Sequence, residues 1–294
     1  MIKKQDRKFI TFSLAPVLIT MFGLLGYPIL YCLYLSFTKY NITRPSSIGV
    51  FNGLENFKNA IMHPLFFKSI RVTLVYTVLA VILELIIGIF IALLLSKLGK
   101  VRNIVLALII IPWAIPNVVN GLMWRWMFNP YYGFFNGLLY SLGFIKDYIS
   151  LLNKPVMAMA AIVNAQIWRQ LPFVIFFLFA GLQSIPEELS EAAKVDGASP
   201  FRIFFNITLP LLRPTILILL IIETMHSIRT FDTIWVITGG GPGTATYVLS
   251  WLTYNTSFRE YDFGQGSALS LIILAITIIF ASIYIKFYKS AYAN

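Results

Sequence analysis

The stretch SIPEELSEAAKVDGASPFRIFFNITLPLLRP, from Ser184 to Pro214, is the one long polar-enriched passage in the second half of an otherwise apolar chain. Ser184 and Glu187 have the spacing of a capping box, which predicts the start of a short helix. Gly197 is well placed to end that helix in the left-handed region, and Ser199 before a proline predicts the start of a second one. The sequence therefore predicts two short helices joined by a tight corner. Their small acidic ridge can be laid into a groove on another protein.

A fixed spacing runs through this stretch, and Pro210 and Pro214 mark the start of the next apolar run. The spaced residues are Glu191, Ala192, Ala193, Asp196, Gly197, Leu209 and Pro210, with Ile207 two positions before Leu209. The pattern resembles the signature of the cytoplasmic coupling loop in the membrane subunits of ABC importers, the binding-protein-dependent permeases. The resemblance implies that residues 184–209 dock on a separate ATPase and that Glu191 makes the polar contact. An ordinary cytosolic helical hairpin between two membrane spans is the alternative.

The composition is that of a polytopic membrane protein. The chain has 294 residues, of which 58% are hydrophobic and only 12% are charged, far outside the usage of soluble proteins. Its net charge of +11 is better explained by topology signals on inner loops than by nucleic acid. Cys32 is the only cysteine, so neither a disulfide framework nor a cysteine metal site is expected.

Six apolar stretches are long enough to cross a bilayer, which needs about 20 residues. They are approximately Phe9–Phe37, Val72–Leu95, Asn103–Phe128, Val156–Leu182, Leu211–Val236 and Ala268–Phe287. Several contain proline, so tilted or kinked helices are expected. The predicted fold class is all-α, a polytopic membrane protein with six transmembrane helices. The resemblance implies the type I ABC importer permease fold.

The Lys and Arg residues predict the orientation of the chain. The basic stretch MIKKQDRK leads into an apolar run that reads as a retained anchor. With the N-terminus inside, the inner segments carry more Lys and Arg than the longer outer loops, which predicts that both termini are cytoplasmic. The resemblance implies the cytoplasmic membrane of a bacterial or archaeal cell. We divide the chain into residues 1–71, an anchor helix with an outer amphipathic segment, and residues 72–294, a permease core of five spans containing the coupling loop.

Two outer segments resemble patterns of the sugar-type permeases in particular. The first is the ordered set Trp124, Phe128, Asn129, Pro130, Gly133 and Asn136. The second is the glycine-rich run Thr238–Thr244, which lacks the flanking strand, helix and lysine of a phosphate-binding loop. No phosphate-binding loop sequence occurs in the chain, so the ATPase is expected on another polypeptide.

Polar residues inside the spans indicate a solute pathway, since such groups are costly in lipid. The candidates on span four are Gln166, Arg169, Gln170 and Phe173, and those on span five are Glu223, Ser227 and Thr230. The first four share one helix face, and their polar groups and ring suit a carbohydrate. Arg169 is expected to face Glu223 or Glu84, near mid-membrane. The alternative is a polar seam or architectural ion pair without any solute.

These observations predict a transport subunit rather than an enzyme, with no catalytic, metal or cofactor site on this chain. The resemblance implies import of a sugar or oligosaccharide delivered by an extracytoplasmic solute-binding protein. It also implies a second, similar permease subunit and two copies of an ATP-binding subunit, which would hold ATP and Mg²⁺. Two alternatives remain open at this point: import of glycerol-3-phosphate or another polyol phosphate, and ion-coupled secondary transport using the buried ionisable residues.

Overall fold

The computed structural model describes the backbone of residues 4–292 and the side chains of residues 13–46 and 48–287. The side chains of the basic stretch MIKKQDRK lie outside this range. The α-helices, in chain order, are α1 Lys4–Met21, α2 Tyr27–Ser36, α3 Glu55–Met62, α4 Phe66–Ser96, α5 Arg102–Ile109, α6 Asn117–Met127, α7 Phe134–Ser141, α8 Pro155–Gln183, α9 Glu187–Val195, α10 Pro200–Ile203, α11 Leu209–Ile228, α12 Asp232–Ile237, α13 Leu249–Tyr254 and α14 Phe263–Tyr292.

Five helices in the described part are long and apolar enough to cross a membrane. They are Ser13–Ser36, Phe66–Ser96, Pro155–Gln183, Pro200–Ile228 and Phe263–Phe287. A sixth candidate is a broken pair, Arg102–Ala114 with Asn117–Met127, whose two halves meet at an angle of 94°. The predicted all-α fold with several membrane-spanning helices is confirmed, and six spans are present if the broken pair is one crossing. The third span, however, is not the single kinked helix that its hydropathy suggested.

The break in this pair lies at Ile115 and Pro116. A 3₁₀ segment, Ile111–Ala114, ends where Ile115 takes an extended conformation, and Pro116 then precedes the first residue of α6. Pro116 acts as expected, because a residue before proline avoids the helical conformation, whereas Pro112 lies inside the 3₁₀ segment. The size of the bend depends on contacts that the sequence alone does not reveal.

The coupling loop contains the two predicted helices, α9 and α10, but the first begins differently. The Ser184 hydroxyl donates a 2.7 Å hydrogen bond to the Gly181 carbonyl, closing the end of α8, while Pro186 occupies the N-cap position of α9. The predicted capping box is therefore wrong. The Ser199 hydroxyl accepts the Arg202 amide at 3.4 Å, so the second cap is confirmed.

The second loop helix is continuous with the fifth span. A π-helical segment, Phe204–Thr208, joins α10 to α11, and the combined helix runs from Pro200 to Ile228. Pro210 and Pro214 therefore lie inside this rod and do not mark a boundary. Because proline removes a backbone donor from the helix, a π-bulge just before it is a natural accommodation. The rod ends at Ile228 rather than near Val236, and α12 follows as a separate short helix.

The chain divides into two compact units by packing. The first unit comprises the described part of Met1–Phe66 together with Leu252–Leu274. It contains an antiparallel two-stranded sheet, Thr38–Lys39 paired with Val50–Phe51. The buried Asn56 amide, on α3, donates to the Ser36 and Thr38 carbonyls at 3.0 and 2.8 Å, which fixes the outer segment against the end of α2.

The second unit comprises Phe67–Trp251 and Ala275–Asn294, as far as it is described. Its apolar core packs α4 against α8, with one residue from α11. The buried members are Val81, Leu85, Ala92, Leu95, Val174, Ile175, Leu178, Phe179 and Leu219. The unit brings α8 and α11 side by side, so the two helices with the predicted pathway residues are neighbours. The boundary at residue 71 between the N-terminal segment and the permease core, which we drew from the sequence, stays a prediction.

Candidate substrate pathway and coupling loop

Side-chain hydrogen bonds connect α8 and α11 at two levels. The Gln170 amide donates to Glu223 Oε1 at 3.2 Å, and the Gln166 amide lies 3.2 Å from Nδ1 of His226. Gln166, Gln170 and Glu223 are all buried. Residues four apart on α8 thus meet residues three apart on α11. The stripe predicted on α8 therefore faces the stripe predicted on α11.

Arg169 connects the broken third span to this network. Its Nε donates to the Ile115 carbonyl at 2.8 Å, and its Nη1 donates to Gln170 Oε1 at 3.2 Å. The guanidinium therefore reaches Glu223 through the Gln170 amide rather than by the direct contact expected from the sequence. The Ile115 carbonyl lies at the break, where no helical donor follows it in register. Arg169 supplies the hydrogen bond that the bend removes.

Several oxygens around this network have no hydrogen-bond partner among the described residues. They include both carboxylate oxygens of Glu84, on α4, as well as Glu223 Oε2 and the Ser227 hydroxyl. Glu84 and Glu223 are fully buried. Because a buried polar group without a partner is costly, these oxygens mark a polar interior that packing alone does not explain.

A polar cavity of about 290 Å³ adjoins the network. Its lining residues are Asn117, Gln166, His226, Arg229, Thr230, Phe231, Asp232 and Thr233. They come from the start of α6, from α8, and from the junction of α11 with α12. The Asn117 amide also lies 3.4 Å from Asp232 Oδ2. Amide, imidazole, hydroxyl and charged groups therefore surround a single space.

The predicted pathway residues occupy different positions relative to this cavity. Gln166 and Thr230 line it. Arg169, Gln170, Glu223 and Ser227 belong to the adjoining network or carry its unpaired oxygens. Phe173 instead stacks on Trp113 with ring centroids 6.0 Å apart and packs against the apolar core.

The coupling loop presents its signature to the surface. Glu191, Ala192, Asp196 and Gly197 are exposed. Gly197 has φ of +79°, and its amide and the next one bond back to the Lys194 and Ala193 carbonyls at 3.0 and 2.9 Å. This is the Schellman geometry that ends a helix in the left-handed region. The corner predicted from the sequence is confirmed.

The outer motifs form folded turns. The Asn136 side chain is fully buried, donates to the Ile149 carbonyl at 2.9 Å, and accepts the Ile149 amide at 3.2 Å. A Cβ at Gly133 would lie 2.4 Å from the Asn129 carbonyl oxygen, so only glycine fits there. In the glycine-rich run, the Thr246 hydroxyl donates to the Gly241 carbonyl at 2.7 Å. Both motifs line one cavity of about 330 Å³.

Comparison with known proteins identifies the family of this chain. Residues 84–289 match the family described as "Binding-protein-dependent transport system inner membrane component". The chain belongs to this family. The trehalose/maltose transport system permease protein MalF of Thermococcus litoralis is 41% identical over 80% of this chain and 79% of its own length. The sulfoquinovosyl glycerol transport system permease protein SmoG of Agrobacterium fabrum is 35% identical over 97% of this chain and 92% of its own.

A solved structure shares the fold of this permease. A chain of a bacterial ABC transporter involved in the import of the acidic polysaccharide alginate superposes with a TM-score of 0.83 at 21% identity, covering 97% of this permease and 96% of that chain. The predicted type I ABC importer permease fold is therefore confirmed. Membership of the family confirms the prediction that this chain is a transport subunit.

Sequence reasoning missed several residues that line the permease's cavity. Asn117 was hidden because the third span was taken as one helix. Arg229 and Asp232 were hidden because the fifth span was taken to run on to Val236. The available signal was the stretch Arg229–Asp232, in which three of four residues are polar and two are charged, since such residues are costly inside an apolar span.

Proposed function

We propose that this permease carries a sugar or oligosaccharide across the cytoplasmic membrane, driven by ATP and supplied by an extracytoplasmic solute-binding protein. The observation that carries the proposal is the polar cavity, where donors and acceptors of several kinds face one space. A carbohydrate offers hydroxyls that both donate and accept, and it needs such a mixed lining. The names of the two relatives, both transport proteins for sugar-containing solutes, support the same solute class.

Import of glycerol-3-phosphate or another polyol phosphate is the second candidate. Arg229 lines the cavity and could pair with a phosphate. Asp232 lines the same cavity, and the fully buried Glu223 adjoins it. This balance of charge favours an uncharged, hydroxyl-rich solute. Membership of a binding-protein-dependent family decides against an ion-coupled secondary transporter.

The assembly we propose has five components. This permease pairs with a second, similar permease subunit, because one set of six spans supplies half a pathway. Two copies of an ATP-binding subunit hold ATP and Mg²⁺ and receive the coupling loops through Glu191 and the residues around it. The solute-binding protein docks at the outer side, where the two folded turn motifs lie together. In this arrangement both termini and the coupling loop are cytoplasmic.

The transport cycle follows from this arrangement by alternating access. Closure of the ATPase dimer moves α9 and α10, and because α10 is continuous with α11 the movement reaches His226 and the cavity. No bond in the solute is made or broken. The described residues bind the solute or transmit the movement of the ATPase to the cavity.

Reconstitution of the complete transporter tests this proposal. The tagged permease is purified from its native membrane with its partners and placed in liposomes with the co-purified binding protein. We expect uptake of a radiolabelled sugar that requires both ATP and the binding protein, with no competition by glycerol-3-phosphate. Uptake displaced only by the phosphate ester would replace the sugar with the second candidate, and uptake by this chain alone without ATP would overturn the proposal.

A further inference from the structure

An apolar groove of about 930 Å³ lies between α4 and the coupling loop. One wall is α4 with Ile86, Ile89, Phe90 and Leu93, and the other is the loop and its π-helical segment. The remaining lining residues are Lys97, Ser190, Lys194, Ala198, Pro200, Phe201, Ile203, Phe204, Phe205, Thr208 and Leu209. Phe90 is 61% exposed and Phe201 is 75% exposed, so large apolar side chains border open space here.

The groove changes from apolar to basic along its length. The α4 residues are entirely apolar from Ile86 to Leu93, and Lys97 follows the helix end. Lys194, on α9, also lines the groove. From Ile86 to Lys97 the helix rises about 16 Å at 1.5 Å per residue, which matches half of a hydrocarbon core that is about 30 Å thick.

The two lysines favour an occupant that is apolar at one end and negatively charged at the other. Both charged residues among its described lining side chains are lysines, and no carboxylate lines it. An apolar tail with a negatively charged head therefore fits its chemistry. Basic pockets at the cytoplasmic ends of membrane helices hold anionic lipid head groups for the same reason.

We propose that this groove binds one anionic phospholipid of the cytoplasmic leaflet. Its acyl chains lie along Ile86–Leu93 and against Phe201, Phe204 and Phe205, and its phosphate lies between Lys97 and Lys194. The lipid would then fill the space between a membrane span and the coupling loop. It would hold the π-helical segment, where α10 joins α11, against α4.

Lipid retention by the complete transporter tests this proposal. The complex is reconstituted in nanodiscs of phosphatidylcholine with a minor fraction of phosphatidylglycerol, and native mass spectrometry measures the lipid that each complex retains. We expect one phosphatidylglycerol per copy of this chain. The double variant K97Q/K194Q should weaken its retention roughly 25-fold, since each lysine near an anionic head group contributes about a factor of five.

The double variant K146Q/K154Q is the matched control, because both lysines are exposed and neither lines the groove. Equal retention in the two double variants, or equal retention of phosphatidylcholine, would overturn the proposal. F90E places a carboxylate among the acyl chains while leaving both lysines, so it should also weaken lipid retention, and unchanged retention in F90E would place the lipid elsewhere. In a C32S background, a disulfide from F90C to a cysteine on the second permease subunit would show that a protein fills the groove instead.

Discussion

At the scale of single residues, Gly197 shows how one backbone conformation makes the coupling corner. A Cβ at this position would meet nothing within 4 Å, yet φ is +79°. Any cost of substitution is therefore conformational and not steric. Left-handed backbone costs roughly 1–2 kcal/mol for an ordinary L-residue, whereas asparagine tolerates it better.

We therefore expect Gly197→Val to lower solute uptake per ATP hydrolysed while Gly197→Asn stays close to the wild type. Both variants add a side chain of similar size in open space, so they differ mainly in their tolerance of positive φ. Transport and ATPase activity measured together in proteoliposomes would check this. Equal behaviour of the two variants would contradict a conformational role for the glycine.

Gln170 is the second residue whose role can be isolated, because it lies between a guanidinium and a buried carboxylate. Gln170→Ala removes the partner of Glu223 Oε1 and the acceptor of Arg169 Nη1. We expect the free energy of unfolding to fall by about 1–3 kcal/mol, which is the cost of leaving a buried polar group without a hydrogen-bond partner. The thermal unfolding midpoint of the purified complex should fall accordingly.

Gln183→Ala is the control for this change, since Gln183 is exposed at the end of the same helix. Combining Gln170→Ala with Glu223→Gln should cost less than the sum of the two single changes, because the residues share one interaction. Strict additivity would show that the observed hydrogen bond contributes nothing to stability.

At the scale of elements, the helix from Pro200 to Ile228 joins the coupling loop to the cavity. It spans about 42 Å at 1.5 Å per residue, and its π-helical segment is the one departure from α-helical geometry along it. Such a helix passes a movement of the coupling loop on to the cavity only if it stays rigid along its length. The π-helical segment is therefore the point at which transmission can be weakened.

The double change Ile207→Gly and Thr208→Gly should lower uptake per ATP hydrolysed several-fold while the complex still assembles. Each glycine costs about 1 kcal/mol in a helix and adds backbone freedom. The pair Ile278→Gly and Ile279→Gly, at exposed positions of α14, is the matched control. Coupling ratios that fall equally in both double variants would mean that general helix weakening, and not this junction, is responsible.

The broken third span depends on a side chain from another element. Arg169→Lys keeps the charge but replaces a planar guanidinium with a single ammonium, which cannot reproduce both donors in their geometry. We expect slower transport and a lower unfolding midpoint, because the Ile115 carbonyl loses its 2.8 Å hydrogen bond. Arg71→Lys, at an exposed position of α4, should behave like the wild type.

These elements also show how far the sequence could predict the structure. Hydropathy located the spans, because a bilayer demands long apolar segments whatever they pack against. Local chemistry located Gly197 and the Ser199 cap. It failed at Ser184, whose hydroxyl closes the preceding helix because α8 extends to Gln183. Pro116 marks the break at Ile115 locally, but the Ile115 carbonyl also accepts a hydrogen bond from Arg169, which is distant in sequence, so no local pattern could reveal a bend of 94°.

At the scale of the whole molecule, two facts concern how the chain meets its surroundings. The most apolar 18 residues of the segment Ser13–Ser36 include no buried residue. In the membrane this segment therefore faces lipid or a partner subunit. The six-span count depends on treating the broken pair as one crossing. An odd number of crossings would place the N- and C-termini on opposite sides of the membrane.

The topology can be decided by labelling with a membrane-impermeant thiol reagent. In a C32S background, which leaves no other cysteine, Val195→Cys places a thiol on the coupling loop and Tyr131→Cys places one after α6. The native side chains are 88% and 83% exposed, so both thiols should be reactive without disturbing the packing. We expect Tyr131→Cys to react in intact cells or spheroplasts and Val195→Cys to react only in inverted vesicles. The opposite labelling, with Val195→Cys reactive in intact cells and Tyr131→Cys reactive only in inverted vesicles, would follow if the broken pair re-enters without crossing, because the span Pro155–Gln183 still separates the two thiols. That result would refute the six-span topology with both termini in the cytoplasm.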